Sequence, residues 1–126
     1  ALKLVQNGDR LETRRLLKRL DYFRQIAVFR GRPVCVEFDA VRGTYRAREQ
    51  MATGRPDALS DWERPGEMRL VSFDGVSAGE MIDPPRVVFA PDGVSQRHVL
   101  EFRSGRAGIR VQVGALRTSM TWSEGQ

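Results

Sequence analysis

The chain opens on a long amphipathic helical pattern that ends abruptly. From Gln6 to Arg32 the apolar and charged residues recur with helical spacing, and Gly31-Arg32-Pro33 then forbids continuation. Leu16, Leu20, Phe23 and Ala27 fall at i, i+4, i+7 and i+11, so they share one face, which Leu11 and Ile26 widen. Arg10, Arg14, Lys18, Asp21 and Gln25 fall on the other side. Asn7-Gly8-Asp9 offers two starts. Asp9 can cap the first turn, or Leu2, Leu4 and Val5 can carry the helix backwards through Gly8, at about 1 kcal/mol. Arg30 and Arg32 stand where positive charge suits the helix dipole.

The rest reads as short strands and turns. Val34–Phe38 is β-branched and apolar, a turn follows near Asp39–Gly43, and Thr44–Arg48 returns. Gln50–Gly66 is polar and Pro-containing, long enough to suggest functional variability or a short helix over Ala58–Trp62. Met68–Phe73 reads as a strand, Asp74-Gly75 as a turn, and Val76–Met81 as a further short strand. Arg86–Phe89 follows Asp83-Pro84-Pro85 and precedes the turn Ala90-Pro91-Asp92-Gly93. His98–Arg103 and Gly108–Val113 form a hairpin around Ser104-Gly105. Leu116–Trp122 is a last strand, and Ser123–Gln126 a loose tail. The expected fold is α+β in one domain over 1–126: a helix over 1–31 packed on an antiparallel, β-rich body over 33–122, as two small sheets.

Charge is concentrated rather than spread. The chain carries a net +5, and between Arg10 and Arg32 eight basic residues face only Glu12 and Asp21. Residues 33–126 hold 12 basic and 13 acidic residues, so the helix carries the excess. No apolar run is long enough to span a bilayer, and no signal-peptide pattern opens the chain. At 126 residues the chain can bury a core without staples. Cys35 is the only cysteine and His98 the only histidine, which excludes an internal disulfide and the usual zinc sets. A single thiol suits either cytosol or periplasm, and Cys35, inside a strand, reads as a small buried hydrophobe.

A search for catalytic patterns finds no Gly-rich phosphate loop, nucleophile elbow or paired-His motif. His98 has no partner visible in sequence. Asp39, Asp57, Asp61, Asp74, Asp83 and Asp92 sit in turns, where aspartate bonds the local backbone, and none has the spacing of a calcium loop. The chain reads as non-enzymatic, with no cofactor and no metal. The arginine cluster suits either acidic faces of neighbouring subunits or nucleic-acid phosphates. Against nucleic acid, Phe38, Tyr45, Phe73, Phe89 and Phe102 occupy core-type strand positions rather than a stacking surface.

The stretch from Arg15 to Val34, ending Arg30-Gly31-Arg32-Pro33-Val34, resembles the helix-to-first-strand junction of the H-type minor pseudopilins of type II secretion, relatives of the FimT- and FimU-like minor pilins. Phe89-Ala90-Pro91-Asp92-Gly93-Val94-Ser95 resembles that family's Phe-x-Pro-Asp-Gly-x-Ser segment, with a hairpin and a terminal strand after it. Arg24-Gln25-Ile26-Ala27 departs from the family's usual Glu-Ala, and Gly114-Ala115-Leu116-Arg117 is the nearest match to its terminal Gly-Arg. The resemblance implies a pilin-like subunit whose membrane helix and prepilin peptidase site precede Ala1. It implies a periplasmic domain anchored in the bacterial inner membrane, and assembly at or near a filament tip. Partners would be other minor and major pseudopilins and, beyond them, secreted substrate proteins. Leu2, Leu4, Val5 and Leu11 would pack on neighbouring helices, and Arg10, Arg14 and Lys18 would face acidic neighbours. A type IV minor pilin, or a small basic nucleic-acid-binding module, is the alternative reading.

Overall fold

A computed structural model describes residues 2–50 and 56–124, with side chains described over 11–50 and 58–121. Helix α1 runs Leu2–Arg30. It passes through Asn7-Gly8-Asp9 without a break, so Asp9 lies inside the helix and is no cap. Its C-terminus closes as the sequence requires. Gly31 takes φ 63°, its N–H reaches the Val28 carbonyl at 3.3 Å, and the Arg32 N–H reaches that of Ala27 at 3.2 Å. These are the two bonds of a Schellman motif, which glycine accommodates because it has no Cβ.

Among the described residues nine strands follow: β1 (Val34–Asp39), β2 (Thr44–Gln50), β3 (Pro56–Ala58), β4 (Arg69–Phe73), β5 (Val76–Ser77), β6 (Arg86–Phe89), β7 (His98–Ser104), β8 (Ala107–Val113) and β9 (Thr118–Glu124). They form a four-stranded sheet in the order β3-β2-β1-β6 and a five-stranded sheet in the order β5-β4-β7-β8-β9. Pairing is antiparallel throughout.

Strand alternation decides what faces the helix. Val34, Val36, Phe38, Tyr45, Ala47, Val87 and Phe89 point inward from the first sheet. Leu100, Phe102, Ile109, Val111 and Val113 do so from the second. Leu16, Leu20, Phe23 and Ala27 close the core from above, as their spacing predicts. Phe38 and Phe102 meet edge to face with centroids 6.4 Å apart, joining the two sheets.

Some local expectations are corrected. Ala58–Trp62 is not helical. Ala58 ends β3, the Leu59 N–H bonds the Ala47 carbonyl, and the Ser60 hydroxyl accepts the Ala47 N–H. The free edge of β2 captures this segment because its ladder groups need partners. Val76–Met81 is a strand only over Val76–Ser77, then one 3-10 turn over Ala78–Glu80. Ser123 and Glu124 belong to β9, opposite Gly108 and Ala107, rather than to a loose tail. Cys35 is half-buried and faces away from the core, because Val34 and Val36 take the inward positions on either side of it. Leu11 lies off the buried stripe and is 55% exposed.

Candidate functional site

The helix is fastened to the sheets by more than its apolar stripe. Arg24 is buried and carries no carboxylate partner. Its Nη1 donates to the Gly93 and Ala115 carbonyls at 2.7 Å each, and its Nη2 to the Gly114 carbonyl at 3.0 Å. The guanidinium lies 4.7 Å from the centre of the Phe89 ring. Burial lowers the pKa of this guanidinium, with Asp21 opposing. One cation thus ties the helix to the loop after β6 and the turn between β8 and β9. Gly93 sits against the helix there, at φ 83°. A Cβ at that position would come within 2.9 Å of a Val28 methyl, so the turn needs glycine twice over.

Three further arginines reach carboxylates of the chain's own domain. Arg19 pairs with Glu63 at 2.8 Å and lies 4.5 Å over the Phe23 ring. Burial is the largest single influence and would depress its pKa, but the bond to Glu63, the Glu63 charge and Tyr45 together outweigh it and raise the pKa. Arg30 pairs at 2.7 Å with Glu49, which is 1% exposed at the end of β2, and Arg32 lies 3.9 Å from the same carboxylate. The helix charge therefore divides. Arg19, Arg24, Arg30 and Arg32 serve the chain's own domain.

What remains is the opposite face. Leu11, Arg14, Arg15 and Lys18 are exposed along it, and so are Tyr22 and Phe29, the latter by 88%. Residues 11, 22 and 29 lie within about 20° of one another around a 3.6-residue helix, turned away from the buried stripe. Of the residues expected to contact partners, the structure places Leu11, Arg14 and Lys18 on this bare face. Leu2, Leu4, Val5 and Arg10 belong to the helical backbone, and their side chains lie outside the described residues. Sequence reasoning missed Tyr22 and Phe29, although their heptad spacing marks a second stripe. It assigned Arg24 to neither face. Its position four after Leu20 places it beside the core.

The other polar residues have structural tasks. His98 Nδ1 lies 2.7 Å from the Asp74 carboxylate, which also accepts the Val99 N–H at 2.8 Å. Asp39 and Asp92 accept backbone N–H groups of their own turns. Among the described residues no group of three or more His, Cys, Asp or Glu side chains could hold a metal. No helix is long and apolar enough to cross a membrane. Burial pushes the Cys35 thiol pKa up, with Arg86 pulling it back.

A long helix laid by one face on two antiparallel sheets, its other face bare, is the build of a pilin-like subunit. The chain belongs to the GspH family: the family model for type II transport protein GspH matches residues 12–116. That span takes in the bare face from Arg14 to Phe29 and the Asp92-Gly93 turn. The fold is similar to that of the minor pseudopilin EpsH from the type 2 secretion system of Vibrio cholerae, at 13% identity and a TM-score of 0.65. The similarity covers 91% of this chain and 95% of that one. No curated protein sequence matches the chain.

Proposed function

We propose that the chain is a structural, non-enzymatic minor pseudopilin that assembles at or near the tip of the type II secretion pseudopilus and helps export folded proteins across the outer membrane. In this reading its domain is periplasmic, and a preceding membrane helix anchors it in the inner membrane. The observation that carries the reading is the helix with two faces. One is bound to the domain by Arg24, Arg19 and Glu49, and the other offers Leu11, Arg14, Arg15 and Lys18 to solvent. A charged, partly apolar helix face that the domain does not use suits a heterologous contact, which extends an assembly instead of closing it. The basic residues would select among neighbours by sign more than they would add affinity. Further towards the N-terminus, Leu2, Leu4, Val5 and Arg10 are proposed to contact neighbouring helices.

The test is Arg14→Glu with Lys18→Glu. Both side chains are exposed and make no ion pair among the described residues, so the variant is expected to keep the wild-type melting midpoint. Capture of partner pseudopilins by the purified domain is expected to fall. Capture at the wild-type level would overturn the assignment of this face. A type IV minor pilin would show the same helix chemistry, and is distinguished by capturing pilins in preference to pseudopilins.

A further inference from the structure

The near-neutral charge of residues 33–126 hides a second basic surface. On the five-stranded sheet, the face turned away from the helix carries Arg69 on β4, Arg103 on β7 and Arg110 on β8, three neighbouring strands. All three are exposed, as is Arg106 in the β7–β8 turn. Arg69 and Arg103 stand directly opposite each other in the ladder. Like charges placed that way destabilise a sheet. Among the described residues no ion pair relieves either of them, or Arg106. Arg110 has only a loose pair, 3.8 Å from Glu101, and Glu101 also accepts a bond from the Ser72 hydroxyl. Gly108 faces Arg103 on β8 and has no side chain to fill the space. The result is a shallow depression of about 390 Å³ with Gly108 at its floor and Val71, Glu101, Arg103, Arg110 and Thr121 around it, so that one carboxylate, held by Ser72 and loosely by Arg110, stands beside the arginines.

We infer that this arginine-walled depression is an interaction surface for an extended acidic segment of a protein partner. Arg103 and Arg110 are diagonal neighbours across the β7–β8 ladder, a relation that puts their Cα atoms about 7–8 Å apart. Carboxylates at alternate positions of an extended chain repeat at about 6.6–6.8 Å. The two spacings match. Each guanidinium fork can hold one carboxylate through two parallel bonds, and exposed Val71 on β4 adds apolar surface to the lining. The same contact would neutralise the opposed Arg69 and Arg103. A protein strand suits the site better than a nucleic acid because the patch spans only three strands, too short to follow a run of phosphates, and among the described residues its exposed rim holds no aromatic for a base to stack on. This surface is separate from the helix face and does not depend on the pseudopilin reading.

The experiment uses the whole chain and a fluorescein-labelled peptide of alternating glutamate and serine, read by fluorescence anisotropy at physiological salt. Wild-type protein is expected to bind it. Arg103→Gln with Arg110→Gln should weaken binding by roughly tenfold for each arginine removed. The control variant Arg42→Gln with Arg64→Gln, two exposed arginines outside both surfaces, should leave it unchanged. Because Arg103→Gln removes a like-charge pair, its melting midpoint should equal or exceed that of the wild type, and Arg69→Gln provides an independent variant on the same face. Absence of binding, an equal loss in the Arg42→Gln with Arg64→Gln control, or tighter binding of a labelled DNA oligonucleotide or of phosphatidylglycerol-containing vesicles would overturn the assignment.

Discussion

Replacing Arg24 with methionine removes the cation while keeping most of the apolar stem, and so isolates the bonds at the centre of the helix–sheet junction. Three carbonyls, those of Gly93, Gly114 and Ala115, lose their donor at once. Bonds to a charged group contribute about 1.5–3 kcal/mol each. They do not add here, since they share one guanidinium and water can reach the two part-buried carbonyls once the arm is gone. The buried Gly93 carbonyl cannot be rescued in that way. Counting one fully lost bond, two partly replaced ones and the contact with Phe89, worth about 1 kcal/mol, the loss comes to about 3–4 kcal/mol. For a chain of 126 residues that is a melting shift of about 10–15 °C. Circular dichroism melts against Arg15→Met give the comparison, because exposed Arg15 should change stability by no more than about 0.5 kcal/mol. The partners of Arg24 are peptide dipoles in a shielded site, so the loss should persist in 1 M salt, where the screening length is about 3 Å. A loss below about 1 kcal/mol, or one that vanishes in salt, would show that Arg24 does not hold the loops to the helix.

Three further outcomes test the rest. Phe23→Ala should cost about 3–5 kcal/mol in urea unfolding, since it empties a fully buried site beneath the helix; an unchanged midpoint would mean the helix register is wrong. Tyr45 is held at a pKa of about 12 by burial and by Glu63, against an ordinary 10. Its contribution to stability is therefore full below pH 10 and is lost as pH rises through about 12; Tyr45→Phe should flatten that decline in melts between pH 9.5 and 12. The Cys35 thiol, pushed up by burial, should react with iodoacetamide at pH 8.5 several-fold more slowly in the folded protein than in urea; equal rates would place it in open solvent.

Local pattern carried much of this protein. The i, i+4, i+7, i+11 stripe named the four helix residues that enter the core. Of the strand aromatics read as core, Phe38, Tyr45, Phe89 and Phe102 are buried and Phe73 packs against them in part. Gly31 and Pro33 ended the helix because a Schellman turn and a prolyl ring act over a few bonds only. What the residues could not announce was the fate of each charge. Arg24 and Arg14 look alike in a list, yet one is enclosed by carbonyls 69 to 91 residues away and the other is bare. Glu49 faces inward only because β2 alternates from Tyr45 and is long enough to reach the helix end. The capture of Pro56–Ala58 by the edge of β2, and the opposition of Arg69 and Arg103 across β4 and β7, also arise from pairing between distant strands. Periodicity is a property of neighbours along the chain, and it decided the elements and their faces. Ion pairs, buried donors and surface patches depend on which loops and strands meet across the fold, and the assembled tertiary structure alone decided those.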